Sequence, residues 1–142
     1  MRFLGLLFLI GFLCLSIVSE DERKIENFLS STKWQSAGHA FADKNAAIYT
    51  FSEIKESAWN WGCFVNFGED TFSGYYAAPC GNDCFVSTYG TYKFLSEKEI
   101  FVDVKTITRS GFCENSGADY VGFNARYSYS TNENSVTLVK VN

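Results

Sequence analysis

From Trp59 to Phe67 every second residue is apolar or a cysteine: Trp59, Trp61, Cys63, Val65 and Phe67 share one parity, and Asn60, Gly62 and Asn66 share the other. Successive side chains of an extended strand point to opposite faces, so this period of two predicts a strand with one face turned inward. The next run carries the same pattern in register. With Glu69-Asp70 as a two-residue turn, Phe67 falls opposite Phe72, Val65 opposite Gly74 and Cys63 opposite Tyr76, and the apolar faces coincide without a slip. Counting in the same way through Glu97 sets Tyr92 against Val102 and Phe94 against Ile100. That places Val86, Tyr92, Phe94, Ile100, Val102 and Val104 on one face. Val121, Phe123, Ala125, Tyr127 and Tyr129 form an equivalent row, with Asn124, Arg126 and Ser128 opposite.

Turn residues recurring roughly every 8 to 12 positions divide the chain into eight predicted strands, over 33–40, 46–54, 58–68, 71–78, 84–95, 99–108, 120–130 and 135–141. One apolar face per strand suggests a surface closed around an interior. The expected fold is therefore an all-β, eight-stranded antiparallel up-and-down barrel, with a β-sandwich of similar pattern as the alternative. Pro79, the one proline, falls in a connection where a missing backbone donor harms no ladder. Only 20–30 has helical spacing: Ile25, Phe28 and Leu29 share a face, and acidic residues occupy the first turn, which predicts a short lid or plug helix.

The beginning of the chain changes the setting. Arg2, the apolar run 3–18 and the small Ser19 have the layout of a secretory signal peptide, and the run is shorter than the roughly 20 apolar residues that span a membrane. The expected organisation is a signal peptide over 1–19 and a single domain over 20–142, secreted and extracellular, with no membrane span. Without Arg2 the formal charge moves from -4 to about -5, and no block of like charge occurs, which argues against nucleic acid or anionic lipid as a partner.

Cys14 leaves with the leader, and Cys63, Cys80, Cys84 and Cys113 form an even set in an oxidising compartment, so two disulfides are expected. Cys84 lies opposite the Arg109 to Gly111 region of the Glu97 hairpin, close to Cys113, and Cys63 lies about four residues off register from Cys80. The favoured pairs are Cys63 with Cys80 and Cys84 with Cys113; Cys80 with Cys84 and Cys63 with Cys113 is the open rival. A metal site through Cys80 and Cys84 fits an oxidising compartment less well than a disulfide, and no metal or other cofactor is expected. His39 reads as an exposed turn or strand-end residue that no motif ties to a serine or cysteine, the scattered carboxylates read as solvated turn residues, and no catalytic set emerges, so no enzymatic activity is expected.

A short N-terminal helix, Trp34 at the start of the first strand and eight successive antiparallel strands resemble the lipocalin and calycin superfamily. Ser31-Thr32-Lys33-Trp34 supplies the tryptophan of that family's Gly-x-Trp motif without its glycine, and Arg126 and Lys140 are candidates for its basic residue over the tryptophan. The resemblance implies carriage of a small hydrophobic molecule inside the barrel, with Tyr49, Phe51, Trp59, Trp61, Tyr76 and Tyr92 as its contacts.

An eight-stranded barrel is near the size at which an interior either holds one small ligand or is filled by side chains. Bulky Trp59, Trp61, Phe67, Phe72, Tyr76, Tyr92 and Phe94 favour filling, whereas Gly62, Gly74 and Gly90 favour space. A filled barrel would make the chain a protein-interaction or inhibitor module with an extracellular protein partner. Such a module would use the cysteine-anchored loops and the outward aromatics Phe64, Tyr75, Phe85 and Tyr89. Exposed Trp and Tyr platforms are also compatible with carbohydrate.

Overall fold

A computed structural model describes residues 27–54, 61–114 and 120–142; the expected leader, most of the expected N-terminal helix and Trp59 lie outside the described residues. The strands are β1 (Lys33–Ser36), β2 (Ile48–Glu53), β3 (Gly62–Phe67), β4 (Thr71–Ala77), β5 (Cys84–Ser96), β6 (Glu99–Gly111), β7 (Tyr120–Val121), β8 (Asn124–Asn132) and β9 (Ser135–Lys140). Eight of them form a closed antiparallel ring in the order β2, β1, β3, β4, β5, β6, β8, β9 and back to β2, with β7 a short addition beside β6. The β5–β6 and β9–β2 ladders leave no open edge between two sheets, which makes the fold a barrel and not the alternative sandwich.

The registers expected from the alternating pattern are the ones formed. Phe67 pairs with Phe72, Val65 with Gly74 and Cys63 with Tyr76 across β3–β4. Tyr92 pairs with Val102 and Phe94 with Ile100 across β5–β6. Neighbours follow chain order except at the start, where β1 sits between β2 and β3. Glu53 at the end of β2 lies opposite Trp34, whereas Cys63 at the start of β3 lies opposite Ser36. The chain therefore leaves β2 at one end of the barrel and enters β3 at the other.

Two expected strands are shorter or divided. The first stops at Ser36, and 37–47 becomes a connection that carries Ala40 and Phe41 into the core. The seventh divides at Gly122-Phe123, where the Val104 amide donates to the Phe123 carbonyl (2.8 Å), so β6 pairs with β7 through Thr106 and Ile107 and with β8 through residues 99–103.

One cluster fills the ring. Val65, Phe67, Phe72, Val86, Tyr92, Ile100, Val102, Val104, Tyr127, Val136 and Leu138 point inward from the strands and are almost fully buried. Both ends are stoppered from within. At the end bearing the two-residue turns, the described part of the N-terminal segment is a turn whose Leu29 is buried and whose Leu29 carbonyl accepts from Trp34 Nε1 (3.0 Å). There Phe28 packs against Phe94 and Tyr129, with ring centroids 5.6 and 5.5 Å away. At the opposite end Phe41 enters, with centroids 4.7 Å from Phe72 and 4.9 Å from Tyr49.

The glycines that suggested space make room for packed groups. A methyl on Gly74 would collide with Thr88 Oγ1, and one on Gly90 with the Asp103 carbonyl and the Phe72 ring.

Candidate functional site

The two ends of the barrel differ in chemistry. One carries Glu53, the turn residues Glu69-Asp70 and Glu97-Lys98, and Glu133. The other carries the ends of β4 and β6, the starts of β3 and β5, and the bridge that joins them. Cys84 opens β5 opposite Gly111, the last residue of β6, and this register brings Cys113 to within 4.5 Å (Cα to Cα) of Cys84, where the two are disulfide-bonded. The favoured pairing of these two cysteines is thus formed, and the rival that joined Cys80 to Cys84 is excluded. The second expected bridge is not formed: Cys63 and Cys80 are free thiols. The β3–β4 ladder ends at Gly62 opposite Ala77, so Cys80 lies beyond it in the connection 78–83, off register from Cys63.

Phe112 follows the left-handed Gly111 (φ 77°), its amide donates to the Asp83 carbonyl (3.1 Å), and its ring is 74% exposed. Trp61 stands at the same end, 46% exposed. Its inward placement by period two is corrected by Gly62, whose φ of 125° is a conformation that L side chains rarely adopt and breaks the alternation where β3 begins. Ile48, opposite Val139 across β2–β9, adds a third exposed apolar side chain at this end.

Between the bridge and β1 lies a group of polar side chains. The Cys63 sulfur is 3.3 Å from His39 Nδ1, and the His39 ring meets the Tyr76 ring edge-on at 5.6 Å. Tyr76 in turn contacts Phe85, 6.0 Å between centroids. Burial, with the Arg109 charge adding to it, lowers the His39 pKa from its ordinary 6.5, and burial raises the Cys63 thiol. Both shifts favour the uncharged forms, a protonated thiol against a neutral imidazole. Burial also raises the Tyr76 phenol, and the Asp83 carboxylate and the Cys63 and Cys80 sulfurs nearby add to the rise. The sequence carries no signal for the His39–Cys63 pair. The two residues are 24 positions apart, and His39 sits in a connection whose path is set by the burial of its neighbours Ala40 and Phe41.

The expected ligand contacts separate into three groups. Tyr49, Phe51 and Tyr92 lie in the packed interior, Tyr76 at the mouth and Trp61 on the surface, so five of the six are not brought together around one space; the sixth, Trp59, is outside the described residues. Tyr49 donates to the Asp43 carbonyl (2.8 Å) and stacks on Phe51. Tyr92 donates to the Gly68 carbonyl (2.6 Å) and accepts from Asn27 Nδ2 (2.7 Å), which ties the N-terminal segment to the β3–β4 turn.

Comparison with family models, with curated proteins and with solved structures finds no match. The likeness to lipocalins and calycins therefore rests on the eight-stranded antiparallel barrel itself. Among the described residues no helix is long and apolar enough to cross a membrane, and no three His, Cys, Asp or Glu side chains are grouped to hold a metal.

The outward aromatics divide as well. Phe64 is buried away from the interior cluster and packs on Tyr75 (5.4 Å), whereas Tyr75 and Tyr89 are about half exposed. With Ser73, Ser87, Thr106 and Thr108 these two tyrosines line a shallow uncharged depression on the outside of β4, β5 and β6.

Proposed function

We propose that the chain is a secreted recognition module in which the filled barrel is a rigid frame and its disulfide-held end contacts another extracellular protein. The observation that carries this reading is Phe112: a large apolar ring, 74% exposed, at a backbone position held by the Cys84–Cys113 bridge and the Asp83 carbonyl. Aromatic side chains anchored on a rigid backbone lose little conformational freedom on binding, and such residues dominate the energy of protein interfaces. Trp61 and Ile48 are further exposed apolar side chains at the same end. Lipocalin-like carriage of a small hydrophobic molecule would need the volume that Phe41, Phe51, Phe72 and Tyr127 occupy, and the mutual ring contacts of Phe41 with the other three support the interaction reading over carriage. The bridge and the leader-like start of the chain support secretion.

The test is site-specific photo-crosslinking on the surface of cells from the source organism, with the crosslinker at position 112 in one preparation and at position 97 in another. A discrete product from 112, saturable and competed by the unlabelled protein, and none from 97, is expected. Phe112→Ala should weaken the interaction by about 2 kcal/mol or more while leaving stability within about 0.5 kcal/mol. Absence of any saturable product from 112, with a small apolar molecule retained in native mass spectrometry and lost on organic extraction, would replace this reading with carriage.

A further inference from the structure

We propose that Cys63 and Cys80 are a thiol pair that undergoes exchange with an external disulfide, closing a second bridge across the mouth with His39 as the base. The inference rests on the extracellular reading only for the supply of that disulfide. Its geometry is independent of Phe112.

Three features place the chemistry. Cys80 is exposed, so an incoming disulfide reaches it first. Cys63 is partly covered and its sulfur lies 3.3 Å from His39 Nδ1, within reach for proton transfer. Tyr76 lies opposite Cys63 across β3–β4, and Cys80 follows it four residues later in the 78–83 connection, which begins directly beyond the last pair of that ladder, Gly62 with Ala77. Neutral imidazole beside a protonated thiol is the resting arrangement that a base-assisted attack requires.

The sequence of bonds balances. Cys80 gives its proton to solvent and its thiolate attacks one sulfur of RS–SR, forming Cys80–S–S–R and releasing RS⁻, which takes up that proton. Cys63 then gives its proton to His39 Nδ1 and attacks the Cys80 sulfur. The Cys63–Cys80 bond forms as the bond to R breaks, and the second RS⁻ takes up a proton. Two protein thiols are oxidised and one external disulfide is reduced to two RSH. Closure ties the 78–83 connection to β3, whereas the Cys84–Cys113 bridge already ties its far end to β6.

The experiment uses the full mature protein with Cys84–Cys113 intact, treated with oxidised glutathione and followed by intact mass and non-reducing peptide mapping. The expected product has lost two hydrogens, carries no glutathione and yields a Cys63–Cys80 linked peptide. Cys63→Ser should stop at the Cys80 glutathione adduct. His39→Gln should form that adduct at the original rate but resolve it at least about tenfold more slowly. A wild-type protein that stops at the adduct, or a His39→Gln protein that resolves it as fast as wild type, overturns the proposal. Because no partner is present, neither result bears on whether Phe112 is a recognition residue.

Discussion

Tyr49 and Tyr127 sit side by side in the interior, ring centroids 5.9 Å apart, yet their hydroxyls have opposite energetic roles. The Tyr49 hydroxyl donates to the Asp43 carbonyl at 2.8 Å. The Tyr127 hydroxyl is buried without a hydrogen-bond partner among the described residues. A buried polar group left unpaired costs about 1 to 3 kcal/mol, whereas a satisfied bond contributes about 1 kcal/mol net. Tyr127→Phe should therefore raise the urea midpoint, a gain of about 1 kcal/mol, and Tyr49→Phe should lower it by a similar amount, with unchanged m-values in both. A lower midpoint for Tyr127→Phe would mean that its hydroxyl is satisfied in solution.

At the scale of elements, the connection between β1 and β2 decides what the barrel can hold. Thr88 Oγ1 donates to the Ala40 carbonyl (2.8 Å), and this buried bond fixes the connection just where Phe41 turns inward. Phe41 has a φ of 56°, uncommon for a bulky residue, and is fully buried against four other aromatic rings. A strained backbone position persists only where the surroundings over-determine it, and here the ring contacts do so. Phe41→Ala should cost about 3 to 5 kcal/mol and leave a cavity at the disulfide end. An environment-sensitive apolar dye that ignores the native protein should bind this variant and brighten; a variant that neither loses stability nor takes up dye would show that the ring is not what fills the interior.

For the whole molecule, the buried phenols set the response to alkali. Burial, with Asp43 adding to it, pushes the Tyr127 pKa from 10.0 up to about 12, and burial and Tyr127 push Tyr49 higher still. The folded state holds these protons more tightly than the unfolded chain, so their contribution to stability is fully present below pH 10 and is lost as pH rises through about 12. Urea midpoints measured from about pH 8 to 11.5, with tyrosinate absorbance followed in parallel, should fall steeply above pH 10, and Tyr127→Phe should fall less steeply. At the disulfide end the Cys63 thiol and the Tyr76 phenol are also raised by burial, so they add to the same alkaline loss.

Much of this architecture was readable along the chain because side-chain alternation is a local property. A period of two assigned inner faces to β3, β4, β5, β6 and β8, and the short turns at Glu69-Asp70 and around Glu97 can join only neighbouring strands, so the pairs quoted for these two hairpins followed without coordinates; a barrel was favoured over a sandwich, and Cys84 with Cys113 over the rival pairing, and the structure decided both. Longer connections impose no such restriction. The segments 37–47 and 54–61 left open which strand lies beside which, and only tertiary packing placed β1 between β2 and β3. The same freedom hid Phe41, which belongs to no alternating row, and His39, which reaches Cys63 only because the connection follows Phe41 inward. Alternation alone settles which strand faces turn inward. Whether the space they enclose is open or filled was decided by a loop residue, whose burial depends on contacts distant in sequence and leaves no periodic trace.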